Sequence, residues 1–149
     1  MIILKTFTKR FFPAAMVIVM LSCLLCIGTS ASTLSSDYIC DYSADVSAAS
    51  GGRIIVGVSV DALGYMTQVG ASSITIYKSS DQINWSPVKT YSYTNYPSMM
   101  TSGYYYFADA VTYYGTAGYY YLAMVTCYAG DANGHDTRLY TTSGTRAIS

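Results

Sequence analysis

The sequence predicts an all-β protein, a single antiparallel β-sandwich of about seven strands. Short runs of β-branched and aromatic residues recur along the chain, each bounded by Gly, Pro, Asn, Asp or Ser. Where one face is to be buried, apolar residues alternate with polar ones, as at Ile54, Val56, Val58 and Val60. Beyond residue 31 no stretch carries a helical period, so the turn signals separate strands and nothing else.

The first 31 residues read as an export signal. Lys5, Lys9 and Arg10 form a positive start, Phe11 to Ile27 an apolar run, and Thr29-Ser30-Ala31 a small-residue cleavage site. The run is short for a membrane span, which favours cleavage over a retained anchor. Cys23 and Cys26 lie inside it without a lipobox match. The expected product, residues 32–149, is a secreted, extracellular domain long enough for one core.

Ser32 to Ser36 is a polar terminus, and Tyr38 to Val46 a first strand carrying Cys40. Ser47 to Gly52 turns into the strand Arg53 to Asp61, whose four aliphatics face the core. Ala62 to Gly70 reads as a loop, and Ser72 to Lys78 as a strand with Ile74 and Ile76 inward. Ser79 to Asn84 turns the chain, Trp85 to Tyr93 returns, and Tyr96-Pro97-Ser98 is loop. Tyr104 to Tyr114 is a strand, and Gly115 to Ala117 a corner. Gly118 to Tyr128, GYYYLAMVTCY, is apolar on both alternating faces and therefore central in its sheet. Asp131 to Gly134 is a hairpin turn with positive φ expected at Asn133-Gly134. Asp136 to Thr142 pairs back, and Thr145 to Ile148 extends it.

Several residues carry a likeness. Gly118-Tyr119-Tyr120-Tyr121, the apolar run after it and the Gly130 to Gly134 turn resemble the last hairpin of fibronectin type III and immunoglobulin-like sandwiches. Tyr121 stands where those domains carry a corner tyrosine bonded back to nearby backbone. The signal, the early Cys, Gly51-Gly52-Arg53-Ile54, the Ser79/Asp81/Trp85 hairpin and the tyrosine strand also resemble a family of short secreted proteins of Gram-positive bacteria. That family has no assigned activity, so the resemblance implies fold and export alone.

Beyond the signal, five basic residues face eight aspartates, a formal charge of 5 − 8 = −3 for residues 32–149, with no Glu anywhere. No basic patch exists to neutralise phosphates, which argues against nucleic acid as a partner. A toxin-like or antimicrobial factor acting on membranes is disfavoured by the acidic balance and the lack of a cationic amphipathic helix. Membrane contact is expected only through the signal before cleavage.

A small secreted hydrolase is disfavoured by the inventory. His135 is the single histidine, so neither a multi-histidine metal site nor a triad with separated partners is at hand. Asp131 to Asp136 has the alternating oxygens of a calcium loop, but a plain hairpin explains the same residues. Asp109 lies mid-strand between Phe107 and Val111 and is expected to face the core on a backbone or Arg partner. No cofactor or metal is expected, and no catalytic residue.

Two expectations concern surfaces and bonds. Loss of the signal leaves Cys40 and Cys127, an even pair expected to form one disulfide in an exported domain. Closing a loop of about 90 residues stabilises by ~4 kcal/mol in the chain-entropy picture. With Tyr121, Val125 and Cys127 facing the core, alternation points Tyr120, Leu122, Met124 and Tyr128 outward. The fibronectin-like order implies that Tyr77 and Tyr140 join them, with Tyr91 or Tyr93 at the edge. Such a face suits a binding or adhesion module for a glycan, a cell-wall polymer or a protein surface. Tyrosines that merely cover the sheet, or that bury themselves in a homodimer, account for the same pattern.

Overall fold

A computed structural model describes residues 36–149. The expected export signal, with Cys23 and Cys26, lies outside those residues. The chain forms β1 (Ile39–Ala49), β2 (Arg53–Met66), β3 (Gln68–Ser79), β4 (Ser86–Ser92), β5 (Met100–Thr101), β6 (Tyr104–Tyr114), β7 (Tyr120–Gly130), β8 (His135–Thr141) and β9 (Thr145–Arg146). One sheet runs β1-β2-β6; the other runs β4-β3-β7-β8, with β5 added to β3 and β9 to β7. Every pairing is antiparallel. This is the antiparallel β-sandwich expected, seven longer strands with two short additions.

The first hairpin closes at Ala49 opposite Arg53. Gly51 and Gly52 both hold φ near +70° (75° and 72°), where a Cβ is strained, so the glycine pair permits the turn. In β2 the alternation holds: Ile54, Val56 and Val60 are fully buried and Val58 nearly so. They meet Ile74 and Ile76 of β3, and Tyr121, Val125 and Cys127 of β7, between the sheets.

The stretch expected as a loop, Ala62 to Gly70, is instead strand on both sides of Thr67. Ala62, Met66 and Val69 stay buried while the chain leaves the β1-β2 sheet and enters the β3-β7 sheet. Burial at those three positions outweighs the turn signals of Gly64 and Gly70. At the other end of β3, Asp81 shapes the turn into β4. Its carboxylate accepts from Asn84 N–H, Ile83 N–H, the Asn84 amide and the Ser79 hydroxyl. These donors, Asn84 N–H first, hold the carboxyl far below the usual range.

Tyr121 fulfils the corner role. Thr116 N–H donates to its hydroxyl at 2.8 Å, five residues upstream. The corner needs Gly115, because a Cβ there would stand 2.7 Å from the Tyr121 ring. Across the sandwich the Tyr91 hydroxyl donates to the Thr112 carbonyl at 3.0 Å, tying β4 to β6. Tyr91, though on the outer strand β4, is buried and faces inward opposite Ile74, so it does not join the outer face. Tyr93 is tied to Gln68, whose side-chain amide donates to its hydroxyl at 2.7 Å.

Two further expectations are corrected. The turn before β8 has no positive φ at Asn133 or Gly134. Asp131 replaces that device, its carboxylate accepting from Asn133 N–H at 2.7 Å and Gly134 N–H at 3.3 Å. The short β9 pairs with β7 rather than prolonging β8, and the expected disulfide is not formed. Cys127 points into the core, where burial pushes its thiol up to about 11. Cys40 follows the inward Ile39 at a register shift of β1, so it faces solvent. Facing opposite ways, the two sulfurs have no shared space to bond in.

Candidate functional site

Strand register decides which expected residues share a face. Leu122 lies opposite Tyr77, Met124 opposite Thr75 and Thr141, and Tyr128 opposite Thr137. Tyr77, Tyr120, Leu122, Met124 and Tyr128 therefore form one outer face of the larger sheet, joined by Thr126 and the exposed Leu139. At its ends Tyr120 carries the Arg146 guanidinium 5.8 Å from its ring, and Tyr128 stacks on His135 at 5.4 Å. The five expected residues are half-buried among their neighbours, a mostly covered and threonine-rich surface.

Tyr140 does not belong to that face. It lies opposite Val125, whose side chain is in the core, so Tyr140 points inward. There it meets Tyr42 of β1 edge to face, ring centres 6.2 Å apart. The expected position failed by one residue, and in a strand one residue is the whole difference between faces.

The most open aromatic group lies elsewhere. Tyr104 and Tyr105 stack at 4.9 Å at the start of β6, and Tyr65 at the end of β2 stands edge-on to them at 6.4 and 5.6 Å. Tyr65 is 71% exposed and the other two 45% each, with Leu63 at 60% beside them in sequence. The sequence held a signal for this cluster: three successive tyrosines at Tyr104 to Tyr106 cannot all face one core. Tyr65 was hidden by the loop reading of its segment.

Of the polar residues weighed for chemistry, Asp136 is bound up in holding the fold. Asp136 accepts from the Ser36 hydroxyl, from Asp37 N–H at 2.8 Å and from Tyr38 N–H at 3.2 Å, clasping the start of the domain to β8. The Ser36 hydroxyl above all, with these two N–H groups and Arg138, lowers its carboxyl below the usual range. Asp109 stands in the inward register of β6 yet is exposed at the mouth between the sheets, where it accepts from Ala110 N–H at 2.8 Å. Among the described residues no three His, Cys, Asp or Glu side chains come together as a metal site.

No family model, no curated protein and no solved structure matches the chain.

Proposed function

We propose that the domain is an extracellular, non-catalytic binding or adhesion module that takes a glycan or cell-wall polymer on the Tyr65, Tyr104 and Tyr105 cluster. The observation that carries the reading is the exposure of those three rings in mutual contact at one end of β2 and β6. A tyrosine ring gives a flat apolar surface at small entropic cost, with a hydroxyl at its tip, and sugar rings offer the matching pattern of C–H faces and hydroxyls. Rings already packed on one another are held in place before a ligand arrives, which lowers the ordering cost of binding.

The outer face of the larger sheet is the second surface for such a module. It is broader, and Tyr77, Tyr120, Leu122, Met124 and Tyr128 are gathered on it. Its residues are the more covered, so the tyrosine cluster is the first to test.

The test is a glycan and cell-wall binding array with the purified domain, followed by two variants that retain a cooperative melt. Tyr65→Ser with Tyr105→Ser is expected to abolish capture, while Tyr120→Ser with Tyr128→Ser leaves it intact. The reverse result moves the site to the sheet face. Capture unaffected by both pairs, or no capture on any glycan or wall polymer, overturns the reading.

A further inference from the structure

Three of the four outer strands carry the usual guards against pairing with another chain. β4 has Pro87 and Lys89, β8 has Asp136 and Arg138 within seven residues, and β1 has a register shift at Cys40 followed by Asp41 and Asp45. β6 differs. It is 11 residues long, YYYFADAVTYY, with no Pro, no Gly, no Lys and Asp109 as its single charge. β2 pairs with one side of it along its length. On the other side an open groove of about 410 Å³ runs past Tyr104, Tyr106, Ala108 and Asp109, bounded by Ser98, Met100 and Thr101.

The strand is close to a palindrome about Asp109. Reversed upon itself it sets Tyr104 against Tyr114, Tyr105 against Tyr113, Tyr106 against Thr112, Phe107 against Val111 and Ala108 against Ala110. The backbone agrees with that register. Ala110 N–H is taken by the Asp109 carboxylate and the Thr112 carbonyl by the Tyr91 hydroxyl, so the even-numbered residues direct these groups away from β2. A strand centred on Asp109 pairs even residues with even residues, which is what an antiparallel ladder on that side requires.

We propose that β6 is a self-recognition edge: a second copy of this chain adds its own β6 antiparallel, in a two-fold register centred on Asp109, and Asp109 restrains the pairing. A two-fold contact needs a surface complementary to itself, and a palindromic edge meets that condition. The joined sheet runs β1-β2-β6-β6-β2-β1 through both copies. Phe107 of one copy lies opposite Val111 of the other and covers the mouth between the sheets. The Tyr91 hydroxyl on the Thr112 carbonyl leaves that oxygen one lone pair for the Tyr106 N–H of the other copy. Asp109 opposes the pairing in two further ways. Its carboxylate holds the Ala110 N–H that the ladder needs, and the two carboxylates meet at the closest cross-strand pair.

The experiment is sedimentation velocity over a concentration series on the exported domain. Asp109→Asn removes both charges while leaving an oxygen that can accept Ala110 N–H, and is expected to dimerise about two- to fivefold more tightly than the unaltered domain. Asp109→Asn with Ala110→Pro is expected to return to monomer. Proline removes only the N–H that points away from β2, and a cooperative melt establishes that the double variant is folded. Asp109→Asn that stays monomeric at the highest attainable concentration overturns the proposal. So does a dimer that persists in the folded proline variant, since its contact then lies elsewhere.

Discussion

β6, YYYFADAVTYY, and β7, YYLAMVTCYAG, are equally long and draw on the same residue types, yet one is an outer strand and the other central. The inward set of β7 is Tyr121, Ala123, Val125, Cys127 and Ala129, all with no exposed surface. The inward set of β6 is Phe107, Asp109, Val111 and Tyr113, and only Phe107 is buried. A carboxylate in the middle of an inward set is tolerated at an open edge and not inside a sandwich. The backbone follows the same division. β7 has β3 on one side and β8 and β9 on the other, with the Thr142 hydroxyl accepting Ala123 N–H at 3.0 Å between them. In β6 side chains meet part of that need, from Asp109 and Tyr91. Composition thus makes both segments strands, and one charged position separates centre from edge.

The comparison breaks most readily at the two tyrosine runs. Tyr121→Ala empties a fully buried site and frees Thr116 N–H, and is expected to cost ~3–5 kcal/mol in denaturant unfolding. Tyr105→Ala removes an exposed ring of the same type, and is expected to stay within about 0.5 kcal/mol. Equal losses at the two positions would mean that the edge is as fully packed as the centre. A smaller step is Val125→Thr, which keeps the shape and buries a hydroxyl in the core, at a cost of ~1–3 kcal/mol. Val111→Thr, at a half-buried edge site, is expected to be near neutral in the same measurement.

Much of this division was legible in the sequence. The alternation of Ile54, Val56, Val58 and Val60 identified a strand with one inward face, and the apolar character of both faces of Gly118 to Tyr128 identified the central strand. Asp109 was visible as an anomaly, but its sense as an edge marker needs the sheet order, which no local pattern contains. Tyr140 was misplaced because the register between β7 and β8 depends on a four-residue turn, and one residue of slip reverses a face. The Tyr65 cluster was missed because Met66 and Val69 extend two strands through a segment rich in turn residues. An even count of cysteines suggests a pair, whereas bonding depends on direction: Cys40 is exposed and Cys127 buried.

The cysteines also sharpen the contrast between outer and central strands without any substitution. Cys40, exposed on β1, is expected to be alkylated in the native domain at the rate of an open thiol. Cys127 on β7, with its thiol pushed up to about 11 by burial, is expected to react only after unfolding. Intact-mass measurement after a brief native exposure should show one added group, and a second after denaturation. Two groups in the native state would show that β7 opens, and none would show that the sulfurs are bonded after all.

The smallest expected effect is at Asp136, outside both strands. Its carboxyl is held below the usual range by the Ser36 hydroxyl and the Asp37 and Tyr38 N–H groups, so the charged form is favoured in the folded state. The sign follows from linkage. This stabilisation is fully present above the unfolded carboxylate value of ~3.9 and is lost as pH falls through the lower folded value. Asp136→Asn should therefore soften the fall of the melting temperature below about pH 4, with Asp81 supplying the drop that remains. The clasp joins the start of the domain to β8; on β7 it lies opposite Ala129, beyond Ala123 to Cys127. Hydrogen exchange should therefore show Asp37 and Tyr38 amides losing protection in Asp136→Asn while Ala123 to Cys127 keep theirs. If the β7 amides loosen as well, the central strand depends on its periphery, and burial of the inward set is not sufficient to hold it.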